Sequence, residues 1–534
     1  MARCEYVPEP KPQFGPLEVT AFYYPGTEQM AEWDQVEQTL PHIKPLLGWY
    51  DEGNAEVVDW QIKWAVEHGI GSFCVDWYWN KGVQRLDHWV KAYYKARYRK
   101  HLKWFMMYAN HNEPNAHSTQ DQINVTKFWI ENYFLTDEYY TIDGHPVVVY
   151  WDLHNLDDDF IREAAANGEN LQSGDGARKA FGMTNEMLRD AGIPELYVIG
   201  MYHSAEYNPQ EVEWAARIGC KSLMIYNFGM SAFHIAPEAA NADDVQQRFC
   251  YDCVIKASRK WWQASRGSAI PFWPLLPTGW NDKPRSFQFA RMIYGRTPEK
   301  FRELCQSCRG FCEENGVRHV VVAPVNEWQE GSYIEPNEEY GFQMYDALRD
   351  VFCKRPPEGF PPNLVPSDVG LGPYDYPPMP HPAKTSWDFS KGTEGWYRNP
   401  YGTAFIKTVD GHLHFFRNGV NVPALRTRIT PFDAAQFTQF RIRMKATPCP
   451  TIPADGKTKL ALLWGGEGNP LILPNNSFTL ENVASIEIIV YGEWNEYTIP
   501  LSSNPRWKGM IDELWLDVPR LMLGTFDIEW MRME

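Results

Sequence analysis

Between residues 19 and 353 short apolar runs alternate with amphipathic stretches. Eight runs read as strands: "VTAFYYP" (19–25), "GSFCVDWYWN" (71–80), "LKWFMMYAN" (102–110), "PVVVYWDLH" (146–154), "ELYVIGMYH" (195–203), "SLMIYNF" (222–228), "IPFWPLLPTGWN" (270–281) and "HVVVAPVNEW" (319–328). The intervening stretches carry helical spacing: in residues 55–70, Val58, Ile62, Ala65 and Val66 recur on one face. Residues 297–316 open on Thr297 and close on Gly316, a helix cap and a helix stop. Near-continuous apolar strands imply a parallel sheet covered by helices on its outside. Eight such units predict a (β/α)8 TIM barrel over residues 1–353. An open doubly wound sheet would show a Gly-rich phosphate turn after its first strand, and "FYYPGTEQ" has none.

The pattern then changes twice. Residues 354–384, rich in Pro, favour neither helix nor internal strand and predict a semi-rigid linker laid on the surface. Residues 385–534 alternate at period two in short runs such as "GHLHFF", "QFRIRMKA" and "TFDIEWMRM", which predicts a C-terminal β-sandwich. Two readings of it stand side by side, a carbohydrate-binding module and a structural appendage packed on the barrel.

Composition narrows the function. Aromatic residues make up 15% of the 534, with 23 Trp, enough to furnish flat apolar surfaces for a ligand as well as a core. Sugar rings, with their C–H faces, suit such platforms. A net charge of −17 argues against a nucleic-acid partner, and "KARYRK" (95–100) reads as an exposed helix face. There is no apolar stretch of about 20 residues to span a membrane. The opening "MARCEYVPEPKPQF" has no apolar signal core, so the expectation is a cytoplasmic protein, or a periplasmic or secreted one whose signal was removed. Cys250 and Cys253, and Cys305, Cys308 and Cys312, each fall on one helical face; a zinc site is the alternative to the expected reading as small reduced thiols facing the barrel. No metal and no cofactor is expected.

In a barrel of this kind the chemistry sits at the C-terminal strand ends. These supply Tyr23 and Tyr24 from the first strand, Asp76, Trp77 and Trp79 from the second, and Asn110, His111 and Glu113 after the third. Trp151 follows the fourth, Tyr202 the fifth, Tyr226 the sixth and Trp280 the seventh; the eighth ends in Asn326, Glu327, Trp328 and Glu330. Aromatics, amides and carboxylates dominate, almost without Lys or Arg, which suits a neutral sugar better than a phosphate. Each has a plainer reading: His111 as a supporting hydrogen bonder, Asp76 as a loop cap. No HExxH, GxSxG or Cys–His arrangement competes.

The stretch "VVVAPVNEWQEGSYIEPNEE" (320–339) turns from a buried strand into a knot of amides and carboxylates. On an extended strand Glu327 and Glu330 would lie about 10 Å apart on opposite faces. On a turn, the same spacing brings their Cβ atoms to about 5–6 Å on one side. Paired carboxyls about 5 Å apart serve retaining glycoside hydrolysis, and pairs about 6.5–9.5 Å apart inverting hydrolysis. The strand must therefore break after Asn326 for the two to act together.

"NEWQEGSYIEP" (326–336) closely resembles the last-strand signature of glycoside hydrolase family 99, the endo-α-mannosidases, and the NEWxEGxYxEP signature of related barrel proteins of bacterial polysaccharide-biosynthesis loci. Weaker similarity runs through "FYYP" (22–25), "GSFCVDWYWNKG" (71–82) and "YANHNEP" (108–114), and it does not extend to the sandwich. The resemblance implies a retaining hydrolase of an α-mannoside-like glycan. Glu327 would take the proton of the sugar 2-hydroxyl, giving a 1,2-anhydro sugar; Glu330 would protonate the leaving oxygen and then activate water. That assignment needs Glu330 protonated at rest. Gln329 stands where the endo-mannosidases have His, and Glu335 matches a later Glu with a structural role. The alternatives are a glycosyltransferase or transglycosylase of polysaccharide metabolism and a non-catalytic glycan-binding protein.

Overall fold

The computed structural model describes residues 3–27, 30–112, 114–204, 206–226, 247–287, 290–378, 381–399, 403–417, 422–447, 457–473, 479–489, 492–518 and 524–534. The barrel strands are β1 (Glu18–Tyr23), β2 (Ile70–Asn80), β3 (Lys103–Tyr108), β4 (His145–Tyr150), β5 (Tyr197–Met201), β6 (Ser222–Met224), β7 (Leu275–Pro277) and β8 (His319–Ala323). They pair in parallel in the order β7-β8-β1-β2-β3-β4-β5-β6. Typical partners are Thr20 with Val321, Cys74 with Phe105 and Val148 with Val198. The ring closes just before β7, where Leu223 bridges Phe272: the Leu223 amide donates to the Pro271 carbonyl at 2.9 Å, and Trp273 donates back at 3.0 Å.

Every expected strand is present, most shorter than the apolar run that announced it. The sixth run was expected to extend to residue 228; β6 ends at Met224, and residues 227–246 lie outside the described ones. The helices start where the sequence caps them. Asn54 accepts from the Glu56 amide, Ser118 from Asp121 and Thr297 from Lys300. Helix Pro298–Asn315 buries Cys305, Cys308 and Cys312 against the barrel, whereas Cys250 and Cys253 form a disulfide rather than the two reduced thiols expected.

After the barrel, Tyr374 and Tyr376 donate their amides to Leu47 and Trp49, laying the Pro-rich segment on the barrel. Two antiparallel sheets follow. The first runs Thr403–Val409, His412–Arg417, Gly524–Met533, Gln439–Ala446, Asn495–Pro500, and the second Trp396–Arg398, Leu425–Asp433, Met510–Asp517, Lys457–Gly465, Val483–Ile489. Phe415, Ile442, Leu462, Leu516 and Phe526 interdigitate between them. The architecture is a TIM-like barrel followed by a sandwich-like pair of sheets.

The second sheet docks on the barrel rim. Asp34, on helix Met30–Thr39, meets the buried Arg426 and also Arg428 at 3.3 Å. Gln35 donates to Asn399 at 3.1 Å, and Phe287 packs on Trp515. Arg398 approaches Glu32 of the same helix at 3.6 Å, bringing a sandwich side chain to the edge of the barrel cleft.

Candidate active site

Beyond β8 the chain breaks as the carboxylate pair requires. Asn326–Glu327 pairs antiparallel with Ser332–Tyr333, and between them Trp328–Glu330 forms one tight 3-10 turn. Glu327 and Glu330 are thus set at the start and end of a turn rather than along an extended strand. Gly331 closes the turn at φ +59°, and a Cβ there would come within 2.7 Å of Asn281. The Asn281 amide donates to the Glu330 carbonyl at 2.6 Å, which leaves only glycine able to fit.

Around the pair stand Tyr24, Asp76, Tyr226 and Arg285. The Tyr226 hydroxyl donates to Glu327 Oε1 at 2.5 Å and also lies within reach of Asp76. Arg285, on the short helix Lys283–Ser286, forms an ion pair with Glu330. Glu327 is 7% exposed; burial pushes its carboxyl well above the usual range, the charges of Glu330 and Asp76 push the same way, and the Tyr226 hydrogen bond opposes them. Asp76 is raised by burial and then by Glu330. The resemblance implies a resting proton on Glu330; in the structure Glu330 has the Arg285 guanidinium as its partner, and the Glu327 carboxyl is the one raised by burial. Tyr24, Glu32, Trp33, Arg285 and Asn326 line the cleft around the pair.

A buried polar layer holds this loop from behind. Asn326 clasps Tyr24, accepting from its amide at 2.9 Å and donating to its carbonyl at 2.8 Å, and donates to Glu52 at 2.9 Å. Glu52 also accepts from the Thr27 amide and contacts His88. Glu335 accepts from Tyr50 at 2.6 Å and Gln61 at 3.0 Å, and burial pushes its carboxyl up to about 7. Trp328 turns inward, stacking on Tyr333 and donating to Tyr50 at 3.3 Å. Gln329 donates to the Glu32 carbonyl at 2.9 Å, which ties this turn to the helix that carries the sandwich contacts.

Of the expected site residues, the structure brings Tyr24, Asp76, Tyr226, Asn326, Glu327 and Glu330 together. Trp151 joins them edge-on to Tyr226 at 5.2 Å, and exposed His111 sits beside Trp151. Trp280, half-buried, follows β7, its carbonyl accepting from the Ile293 amide at 2.8 Å. Glu113 lies outside the described residues.

Others expected to bind substrate serve the scaffold. Tyr23 is buried against Phe73 and Trp89 and bonds Glu52 and Gln61. Trp77 and Trp79 stack on each other and pack at a tilt on Phe128, in the helix layer outside the barrel. Asn110 clasps the backbone of Asp152, and Tyr202 bonds Glu206 and Asn208 in its own loop. Arg285 was missed, and its presence corrects the picture of a rim almost free of cations. Tyr78, whose hydroxyl is raised by burial and then by Asp76, faces the cleft on the same strand parity as Asp76.

Among the described residues, no group of three or more His, Cys, Asp or Glu converges to hold a metal, and no helix is long and apolar enough to cross a membrane.

Comparison with known proteins gives three kinds of match. "Uncharacterized protein WxcX" of Xanthomonas campestris pv. campestris, in strains B100 and ATCC 33913, is 22% identical over 380 residues, 65% of this chain. The chain spans about half the length of these relatives, 49%. Among solved structures, a "Glycoside hydrolase-like protein" aligns at 18% identity and a TM-score of 0.45, over 65% of this chain and 98% of that one. A GH99 endo-alpha-mannosidase from Bacteroides thetaiotaomicron aligns at 15% identity and a TM-score of 0.40, over 62% and 98%. The family model described as "Glycosyltransferase WbsX" matches residues 12–348, essentially the whole barrel, and the chain belongs to that family.

Proposed function

We propose that the protein is a retaining glycoside hydrolase of an α-mannoside-like or related glycan, working through Glu327 and Glu330. The observation that carries this reading is the 3-10 turn after β8, which sets the two carboxyls three residues apart on one turn of a buried cleft. In the mechanism implied by the motif, Glu327 withdraws the sugar 2-hydroxyl proton as the 2-oxygen closes on the anomeric carbon. The C1–oxygen bond to the leaving group breaks as Glu330 delivers a proton to it. Water, activated by Glu330, then opens the 1,2-anhydro sugar at C1, and the proton returns from Glu327 to the 2-oxygen. Two inversions give net retention. Tyr226 stabilises the Glu327 carboxylate, and the raised affinity of Glu327 for a proton makes it a stronger base.

The Arg285–Glu330 ion pair favours a second reading in which the two roles are exchanged, Glu330 being the base and Glu327 the acid. Dependence on the leaving group separates them. The variant lacking the acid retains activity on an aryl glycoside with a good leaving group, and the variant lacking the base loses it on every substrate. The family description supports a third reading, transfer to a sugar acceptor rather than to water. Product analysis by proton NMR separates hydrolysis from transfer: the first-formed product is the retained anomer of a hydrolysed sugar under the proposal. An inverted first product, or a new glycoside with no free reducing end, contradicts it.

A further inference from the structure

The sandwich has two outer faces, and the barrel covers one. The other belongs to the sheet that runs from Thr403–Val409 to Asn495–Pro500. Along Gln439–Ala446 alternate residues are buried in the sandwich core, so Arg441, Arg443 and Lys445 point outward. On His412–Arg417, across the intervening strand Gly524–Met533, His412, His414 and Phe416 do the same. Three half-exposed aromatic positions result. Phe405 stacks on His414 at 5.7 Å and on Phe416 at 6.2 Å. Trp494 lies against His412 at 4.8 Å, with the Lys445 ammonium 5.3 Å and the Arg443 guanidinium 5.9 Å from its ring centre. Trp530 is flanked by Arg532 at 4.4 Å and Arg441 at 5.6 Å.

The core of the sandwich lies on the opposite side of this sheet, so packing does not require these rings. Their cation contacts fix them in place ahead of any ligand. Carboxylates are interleaved: Arg443 meets Glu529 at 2.6 Å and Arg441 meets Glu496 at 2.9 Å. Flat rings for C–H faces, carboxylates to accept hydroxyl hydrogen bonds and guanidinium forks for carboxylates together match a sugar chain bearing some uronates. Lys407 and Arg532 add to the cations already named, five in all against Asp527, Glu529, Glu496 and Glu534, the last meeting Arg441 at 3.4 Å, on this face of a chain whose net charge is −17. A phosphodiester strand fits worse, because it brings few hydroxyl donors to the interleaved Glu496, Glu529 and Asp527, which a sugar chain supplies at every unit.

We propose that this face, with Trp494 and Trp530 as its platforms and Arg441 and Arg443 as its anion contacts, binds an acidic polysaccharide chain. It is separate from the cleft and does not depend on the reaction assigned there.

The test is affinity electrophoresis of the full chain in gels containing polygalacturonate, alginate or neutral α-mannan, with anisotropy of a labelled oligo(dT) alongside. Retardation by at least one of the two uronans, weakened about tenfold in Trp494→Ala and in Trp530→Ala at unchanged melting temperature, is the expected result. Glu327→Gln should be retarded like the wild type, which keeps this result distinct from any failure of the catalytic assignment. Retardation by neither uronan overturns the proposal. So does uronan binding that survives both Trp substitutions, equal retardation by mannan, or tighter binding of oligo(dT).

Discussion

Replacing Tyr226 by Phe removes one hydroxyl and leaves the ring, which packs on Phe22 and Trp151. The substitution removes the hydroxyl's contact with Asp76 and the 2.5 Å hydrogen bond to Glu327, the latter opposing the raising effects of burial, Glu330 and Asp76. A hydrogen bond to a charged group is worth about 1.5–3 kcal/mol, and one pKa unit corresponds to about 1.36 kcal/mol. The upper bound on the further rise at Glu327 is therefore about 2 units. Water entering the vacated position recovers part of it, so about 1 unit is expected. If Glu327 is the base, the acid limb of kcat/KM moves to higher pH by that amount. Activity on the limb falls about tenfold, while the alkaline plateau falls less. If Glu327 is the acid, the alkaline limb moves up instead and activity at high pH improves. The assay is a pH–rate profile on an α-mannan oligosaccharide; the limbs belong to the coupled pair rather than to either residue alone. Unmoved limbs, or an acid limb displaced to lower pH, would refute the role given to Tyr226.

Other expectations concern the supports of the site. Asp34→Asn takes the ion-paired carboxylate from buried Arg426 and leaves it the charge of Glu513, so the chain should lose about 3 kcal/mol at the sandwich–barrel contact, read by urea unfolding. Arg285→Met strips Glu330 of its guanidinium; about 3 kcal/mol, or roughly a 100-fold loss of kcat/KM, is expected with an unchanged circular dichroism spectrum. Glu335 is raised to about 7 in the fold against 4.5 unfolded, so the folded state holds the extra proton and stability falls as pH rises through that window. Glu335→Gln should abolish a penalty of roughly 3 kcal/mol above pH 7 and leave none to abolish below 4.5; a stability difference independent of pH would contradict the assignment.

The barrel was legible because its signal is long and repeated: eight apolar runs with helical stretches between them leave few alternatives. The site was legible in parts, and strand parity explains much of what was not. On β2, Asp76 and Tyr78 share one face and reach the cleft, while Trp77 and Trp79 share the other and fill the helix layer. Tyr23 and Tyr24 divide in the same way. Grouping residues by their nearness to a strand end ignored this period of two. Arg285 carried no signal, because it arrives from a four-residue helix after β7 and its partner is 45 positions away. Whether the sandwich stood apart or packed on the barrel was equally hidden: Asp34 and Arg426 become neighbours only in the fold.

Hydrolysis of a panel of α-mannans and related glycans by the wild type, Glu327→Gln and Glu330→Gln, with analysis of the reducing-end products, tests the central claim most directly. The account predicts cleavage of at least one glycan by the wild type and its loss in both variants, each folded as the wild type. Full activity in either variant would contradict the carboxylate pair, and wild-type inertness towards every glycan would contradict the hydrolase itself.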